Sequence, residues 1–267
     1  MMIKTGTVVS APLFVSFLFA AAAEIVLPIV LLIVLCWKKK INKKPMFLGF
    51  ASFFVSQILL RLQILNVLKT QDWFKAFAAN TIPYLMMLAF TAGLFEESAR
   101  YLFAGFLQKK DWLFRDAIAF GLGHGYCEVI LLTGMTQINN ITYSIMINNG
   151  TLQKTLAAYP DTANQILAAM AAATPQLVFL GVLERVFAVA FHLFATVLVF
   201  KALNERRPVF YLLALLAHFV LDFAAATLST YTNPVLTEGV VFALSVVWVF
   251  LIFKLRPSFP KAETESE

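Results

Sequence analysis

Seven apolar stretches of membrane-spanning length, separated by short polar or basic connections, leave this chain few ways to fold. They run from about Val8 to Trp37, Pro45 to Leu65, Thr81 to Phe106, Asp116 to Met135, Pro175 to Leu203, Pro208 to Leu228 and Glu238 to Phe253. Crossing a hydrocarbon core takes about 20 helical residues, and lipid offers the backbone no other hydrogen-bond partners. The expected fold is therefore all-α: a polytopic transmembrane helical bundle of about seven spans, with short interfacial helices on the exterior side. A chain that is 60% hydrophobic and only 13% charged lies outside the soluble globular range.

In a soluble protein a net charge of +6 would suggest nucleic acid, but here the basic residues fall in clusters between the apolar stretches. They read as topology signals, and no nucleic-acid partner is expected. Fourteen of the 21 Lys and Arg, from Lys38, Lys39 and Lys40 to Lys254, Arg256 and Lys261, fall on one side of the alternating spans. Four (Lys4, Lys69, Lys75 and Lys154) fall on the other, which sets the orientation N-out/C-in. The first apolar run passes through Ala20 to Ala23 and stops only at Lys38, so it reads as a retained span rather than a cleaved signal. Residues 1–257 are expected to form a single transmembrane domain, with its motif-bearing core at about 81–230, and 258–267 a cytosolic tail. The expected location is a multi-pass cell membrane; the short loops suit a bacterial plasma membrane.

Proline marks several helix starts: Pro45, Pro83, Pro175 and Pro208 fall in first turns, where a missing N–H costs nothing. Pro28, deep in the first span, is an expected kink. The long exterior connection from about Thr136 to Thr174 should carry one or two short surface helices, one of them capped by Asp161-Thr162. Cys36 and Cys127, far apart and without CxxC spacing, are expected to pack rather than pair or bind metal.

Against this apolar background the charges inside the spans stand out, because a charge at that depth must face protein or water and usually marks function. Glu96 and Glu97 lie one helical turn from Arg100, which can pair with either and leave the other to handle protons. His124 and Glu128, and likewise His218 and Asp222, are four residues apart and share a helix face. Glu184 and His192 lie two turns apart on roughly one face, beside Arg185. Four helices thus each carry one polar stripe, as expected if the stripes meet in a shared cavity. Counted from the cytosolic boundary, Glu96, His124, His192 and His218 fall at similar depth, about 12 to 15 Å. Glu128, Asp222 and Glu184 lie about a turn or more further outward. Gly121, Gly123 and Gly125 around His124 suggest close helix packing, or close approach of a substrate segment. Glu24 and Arg61 have no matching stripe and read as structural or snorkelling groups.

These motifs resemble a known family. Glu96-Glu97-x-x-Arg100, Phe120-x-x-x-His124 and His218-x-x-x-Asp222 are similar, in order, to the motifs of the glutamic-type intramembrane proteases. That superfamily holds the CAAX prenyl endopeptidases, PrsW and the Aph subunit of γ-secretase. Gly121-Leu-Gly-His124-Gly-x-x-Glu128 and Glu184-Arg185 most resemble its YhfC-like branch. The resemblance spans about half the chain. It implies that Glu96 activates water with help from His124, and that His218 and Asp222 bind the carbonyl oxygen as it becomes negative. The chain departs from the CAAX endopeptidases in having two rather than three residues between Glu97 and Arg100, which leaves open which glutamate is the base. It also has Asp222 where some relatives have Asn.

The function expected is thus an intramembrane endopeptidase of glutamic type with no cofactor, acting on a peptide or membrane-protein substrate in the bilayer. A zinc-dependent hydrolase using His124, His192 and His218 ranks below it, because there is no His-Glu-x-x-His helix. A non-catalytic scaffold, or an ion- or proton-coupled transporter using the same stripe, is the reading from a different class. No pair of repeated halves speaks for transport. Substrate and oligomeric state have no signature in the sequence.

Overall fold

The computed structural model describes residues 8–106, 108 and 111–261. Lys4, Lys109, Lys110 and residues 262–267 of the expected tail lie outside the described residues. Those described form helices and no strands. Six helices are long and apolar enough to cross a membrane. Asp72–Ala78 and Thr81–Phe106, joined at a bend of 106°, bring the number to seven if the pair is counted as one span. This is a multi-pass membrane protein, and its lipid-type surface is visible: Phe19, Val26, Leu27, Ile33 and Trp37 on the first span are all exposed.

The expected prolines sit at helix starts. Pro45 and Pro83 are the third residues of Lys43–Phe53 and Thr81–Phe106, Pro175 opens Pro175–Asn204, and Pro208 caps Val209–Tyr231. The last span starts earlier than its hydropathy suggests, at Pro234, because the Asn233 side chain accepts from Leu236 N at 2.9 Å. Near Pro28 the helix contains a π-helical turn, Ala22–Val26, a recognised way of absorbing a local break.

The chain divides into two compact units. The first comprises residues 1–30 and 129–185. Its core is Val9, Leu13, Phe17, Ile147, Leu152, Leu167 and Met170. Asn148 ties its start in place, accepting from Val9 N at 2.8 Å and donating to Val9 O at 3.1 Å. The polar stretch expected to carry one or two short surface helices carries Met135–Asn148, Leu152–Thr155 and Pro160–Ala172, the first of them packed on Ala11–Ala21. Thr136, Thr142 and Ser144 return their hydroxyls to carbonyls four residues back, so a low-hydropathy stretch stays helical. Asp161-Thr162 is not the cap of the next helix. That helix, Pro160–Ala172, starts at Pro160, where proline's fixed φ sets the first turn.

The second unit comprises residues 31–128 and 186–267. Its core is aromatic and β-branched, with Phe120, Phe191, Val197, Val199 and Phe200 all but inaccessible. The Lys43–Phe53 and Phe114–Glu128 helices touch backbone to backbone: a Cβ on Gly49 would lie 1.9 Å from Phe120 O, and one on Gly123 would lie 1.9 Å from Met46 O. Close packing is therefore what the glycines serve, as small residues do between membrane helices. Gly121 likewise faces Leu193 and Thr196, and Gly125 faces His192.

Candidate active site

All polar side chains of the site belong to the second unit. Glu96, Glu97, Arg100, His124, His192 and His218 are each no more than 5% exposed, and they meet around one atom, Glu96 Oε2. His124 Nε2 lies 3.0 Å from it, Arg100 Nη2 3.5 Å, and His192 Nδ1 and His218 Nε2 3.9 Å each. Side chains from four helices thus converge on one point.

Each histidine is held at its far nitrogen, which fixes which nitrogen faces Glu96. Ser52 has one hydroxyl hydrogen, and Gly49 O, 2.7 Å away, can only accept it. Ser52 Oγ therefore accepts from His124 Nδ1–H at 2.8 Å, leaving the Nε2 lone pair toward Glu96. Arg100 has no lone pair, so at 2.6 Å it donates to His192 Nδ1, and His192 Nε2–H donates to Glu128 Oε2 at 2.7 Å. His218 Nδ1–H donates at 2.7 Å to Glu97 Oε1, which also accepts from Arg100. Its Nε2 then faces Asp222, at 3.5 Å, as well as Glu96. Asp222 is the outermost member, its side chain 37% exposed.

A fifth helix supplies supports that the sequence did not reveal. Gln57 donates to Glu96 Oε1 at 2.9 Å, and its own oxygen accepts from Arg61 Nη1 at 3.1 Å. Arg61 also donates to Leu88 O at 2.7 Å and Thr91 Oγ1 at 3.2 Å, so it faces inward and does not snorkel. The chain Arg61–Gln57–Glu96 fixes the amide so that its NH₂ meets the carboxylate, and turns Oε2 toward the histidines. Ser52 and Gln57 are uncharged residues in an apolar run, and no periodicity would single them out. Glu184 falls in the first unit, where it pairs with Arg185 at 2.5 Å. Glu24, in the same unit, is buried against Thr133 and Gln137, which fits a structural role.

The donor set has a chemical consequence. A carboxylate oxygen and an imidazole lone pair 3.0 Å apart are two acceptors facing each other, and only a proton or a metal ion between them makes the contact favourable. Glu96, His124 and His192 each offer one ligand atom, and these atoms lie within 4.8 Å of one another. Two imidazoles and a carboxylate form a known divalent-metal donor set. Backing of each imidazole by a second hydrogen-bond partner is also usual for metal ligands. The residues present therefore fit a metal, and the expectation of a site without a cofactor is not supported: three buried donors converge where cofactor-free chemistry needs only one base.

Comparisons with known proteins agree on membrane and family. A family model described as "YhfC intramembrane metalloprotease" matches residues 23–242, which include every residue of the site. A protein of Bacillus subtilis (strain 168) called "Uncharacterized membrane protein YhfC" is 31% identical over 246 residues. The match covers 86% of this chain and 92% of that protein. No solved structure matches the chain. The YhfC part of the sequence resemblance is thereby supported, whereas the glutamic-type superfamily is not what the comparisons name.

Proposed function

We propose, from the premise that this chain belongs to the YhfC family of intramembrane metalloproteases, that it hydrolyses a peptide bond of a membrane-associated substrate with a divalent metal held by Glu96, His124 and His192. The observation that carries this reading is the convergence of two imidazole nitrogens, His124 Nε2 and His192 Nδ1, toward Glu96 Oε2, each imidazole tied at its other nitrogen. Zinc suits a nitrogen-and-carboxylate set of this kind. When bound, such an ion supplies Lewis acidity, which makes water a better nucleophile and a carbonyl a better electrophile.

The chain's own residues supply the remainder. Ser52 and Glu128 orient His124 and His192, and the Gln57–Arg61 pair keeps the Glu96 carboxylate from rotating away. His218 is the proton carrier: Glu97 accepts from its Nδ1–H, so Nε2 faces the reacting centre and can take a proton from water and pass it to the leaving amine. Protonated, the same Nε2–H stabilises negative charge on the carbonyl oxygen. Asp222, next to His218 and the more exposed of the two, would be the one open to a substrate.

The test uses the full chain purified in detergent with a reporter transmembrane segment. One metal per chain, cleavage abolished by a chelator, and recovery on adding zinc are the expected results. Cleavage that persists in chemically metal-stripped protein would overturn the reading in favour of a glutamate-only mechanism. Ser52→Ala leaves His124 Nδ1–H without its acceptor, and is expected to weaken zinc binding about 10- to 100-fold, measured by chelator competition. Unchanged affinity would show that the Ser52 contact does not orient the imidazole.

A further inference from the structure

Arg100 is wholly buried, and its guanidinium hydrogen-bonds two partners at once, Nη1 donating to Glu97 Oε1 and Nη2 to His192 Nδ1, with Glu96 Oε2 3.5 Å from Nη2. His192 Nδ1 is also the nitrogen that faces Glu96 Oε2. An imidazole nitrogen has one in-plane lone pair, which cannot serve a guanidinium N–H and a metal ion together. The other nitrogen of His192 offers no alternative, since its hydrogen is committed to Glu128. Arginine keeps its charge in proteins, so a change of pH does not relieve the conflict.

The same pair of residues carries the means of relief. Arg100 Nε and Glu97 Oε2 are both buried and both lack a hydrogen-bond partner. With Nη1 already on Glu97 Oε1, the unused Oε2 is the acceptor that a second bond from Nη2 would complete into a two-bond fork, and Arg–carboxylate pairs favour such forks. Turning Nη2 off His192 and onto Glu97 Oε2 would satisfy that orphaned acceptor and free the Nδ1 lone pair.

We propose that Arg100 is an internal competitor for the metal, seated either on His192 or on Glu97, and that metal binds only with Arg100 on Glu97. The proposal rests on the metal reading above and adds to it a control on loading. Only the fraction of molecules with His192 free is competent, so the apparent affinity falls by that fraction; if about one molecule in ten is competent, the loss is about tenfold. The protease is thereby tuned to a higher metal concentration than its ligands alone would require.

Zinc affinity of the full chain in detergent, measured by competition with a chromophoric chelator, tests this without reference to cleavage. Arg100→Lys keeps a positive charge beside Glu97 but lacks the second arm needed to hold His192 as well. It is expected to bind zinc about tenfold more tightly than wild type. Glu97→Gln weakens the alternative seat and is expected to shift affinity the other way, about tenfold weaker. Arg100→Lys protein that elutes as wild type and binds zinc no more tightly would overturn the proposal. Should Arg100→Lys not fold, Glu97→Gln decides alone, and affinity equal to or above wild type overturns it. If neither wild type nor any folded variant binds zinc, the metal reading fails and takes this proposal with it. Zinc bound by Arg100→Lys and not by wild type would instead support both.

Discussion

Glu96→Gln is expected to lower cleavage of a reporter transmembrane segment by about 10³-fold or more, and to abolish stoichiometric zinc, while the protein still folds. In free-energy terms this is a loss of about 4 kcal/mol of transition-state stabilisation. The substitution is nearly isosteric, and the new amide oxygen can still accept from Gln57, which now donates to Glu96 Oε1 at 2.9 Å. The position of Oε2 would be taken by an NH₂ group, which donates and offers no lone pair to a metal. That NH₂ meets the open lone pair of His124 Nε2, now 3.0 Å from Oε2, so a hydrogen bond replaces the acceptor–acceptor contact. Folding and catalysis are thus separable at this position, and the variant should elute and melt like wild type. Glu97→Gln should behave differently, because Glu97 faces Arg100 and His218 and supplies none of the three ligand atoms. It retains zinc, more weakly, and impairs the proton carrier. Equal loss of zinc in both variants would show that the two adjacent carboxylates cannot be told apart in the way argued from their contacts.

The sequence left those two glutamates undivided, and the reason is geometric. One residue apart on a helix they point about 100° apart, and which of them faces the histidines depends on helix rotation, which packing alone decides. The four polar stripes were legible because a charge in a membrane span has few innocent explanations, and the i, i+4 pairs His124–Glu128 and His218–Asp222 fix a face. The second span was not legible as part of the site. Its contributions are a serine, a glutamine and the inward-facing Arg61, and the first two are ordinary in apolar helices. The candidate metal donors were hidden for a related reason. A zinc motif read from sequence requires ligands on one helix at fixed spacing, whereas the three donors that could hold an ion here come from three helices, and only the contacts of Ser52 and Glu128 show which imidazole nitrogens face Glu96. Hydropathy ends the fourth span at Met135, whereas the helical run continues to Asn148, because hydropathy counts hydroxyls as polar even when their hydrogens return to the helix backbone.

Gly123→Ala is expected to destabilise the fold by about 3 kcal/mol or more, at or above the upper end for overpacked cores. The magnitude follows from what the new methyl would strike. Its carbon would lie 1.9 Å from Met46 O and 2.8 Å from Met46 C, both backbone atoms of a helix, which cannot turn aside as a side chain can. The Lys43–Phe53 and Phe114–Glu128 helices must therefore separate, and Gly49→Ala forces the same separation from the other side through Phe120 O. Function should fall with stability, because Ser52 and His124 stand on these two helices and their 2.8 Å hydrogen bond survives little displacement. Zinc affinity in the folded fraction is thus expected to drop to about the level of Ser52→Ala, 10- to 100-fold below wild type. Gly239→Ala is the control: it lies within Pro234–Leu255, and a Cβ there would have no atom within 4 Å. Alanine improves helix propensity by up to about 1 kcal/mol, so this variant should be as stable as wild type or slightly more so. Thermal unfolding in detergent compares the three proteins directly. A Gly123→Ala protein as stable as Gly239→Ala would mean that the helices carrying Ser52 and His124 do not touch, and the orientation of His124 would then need another cause.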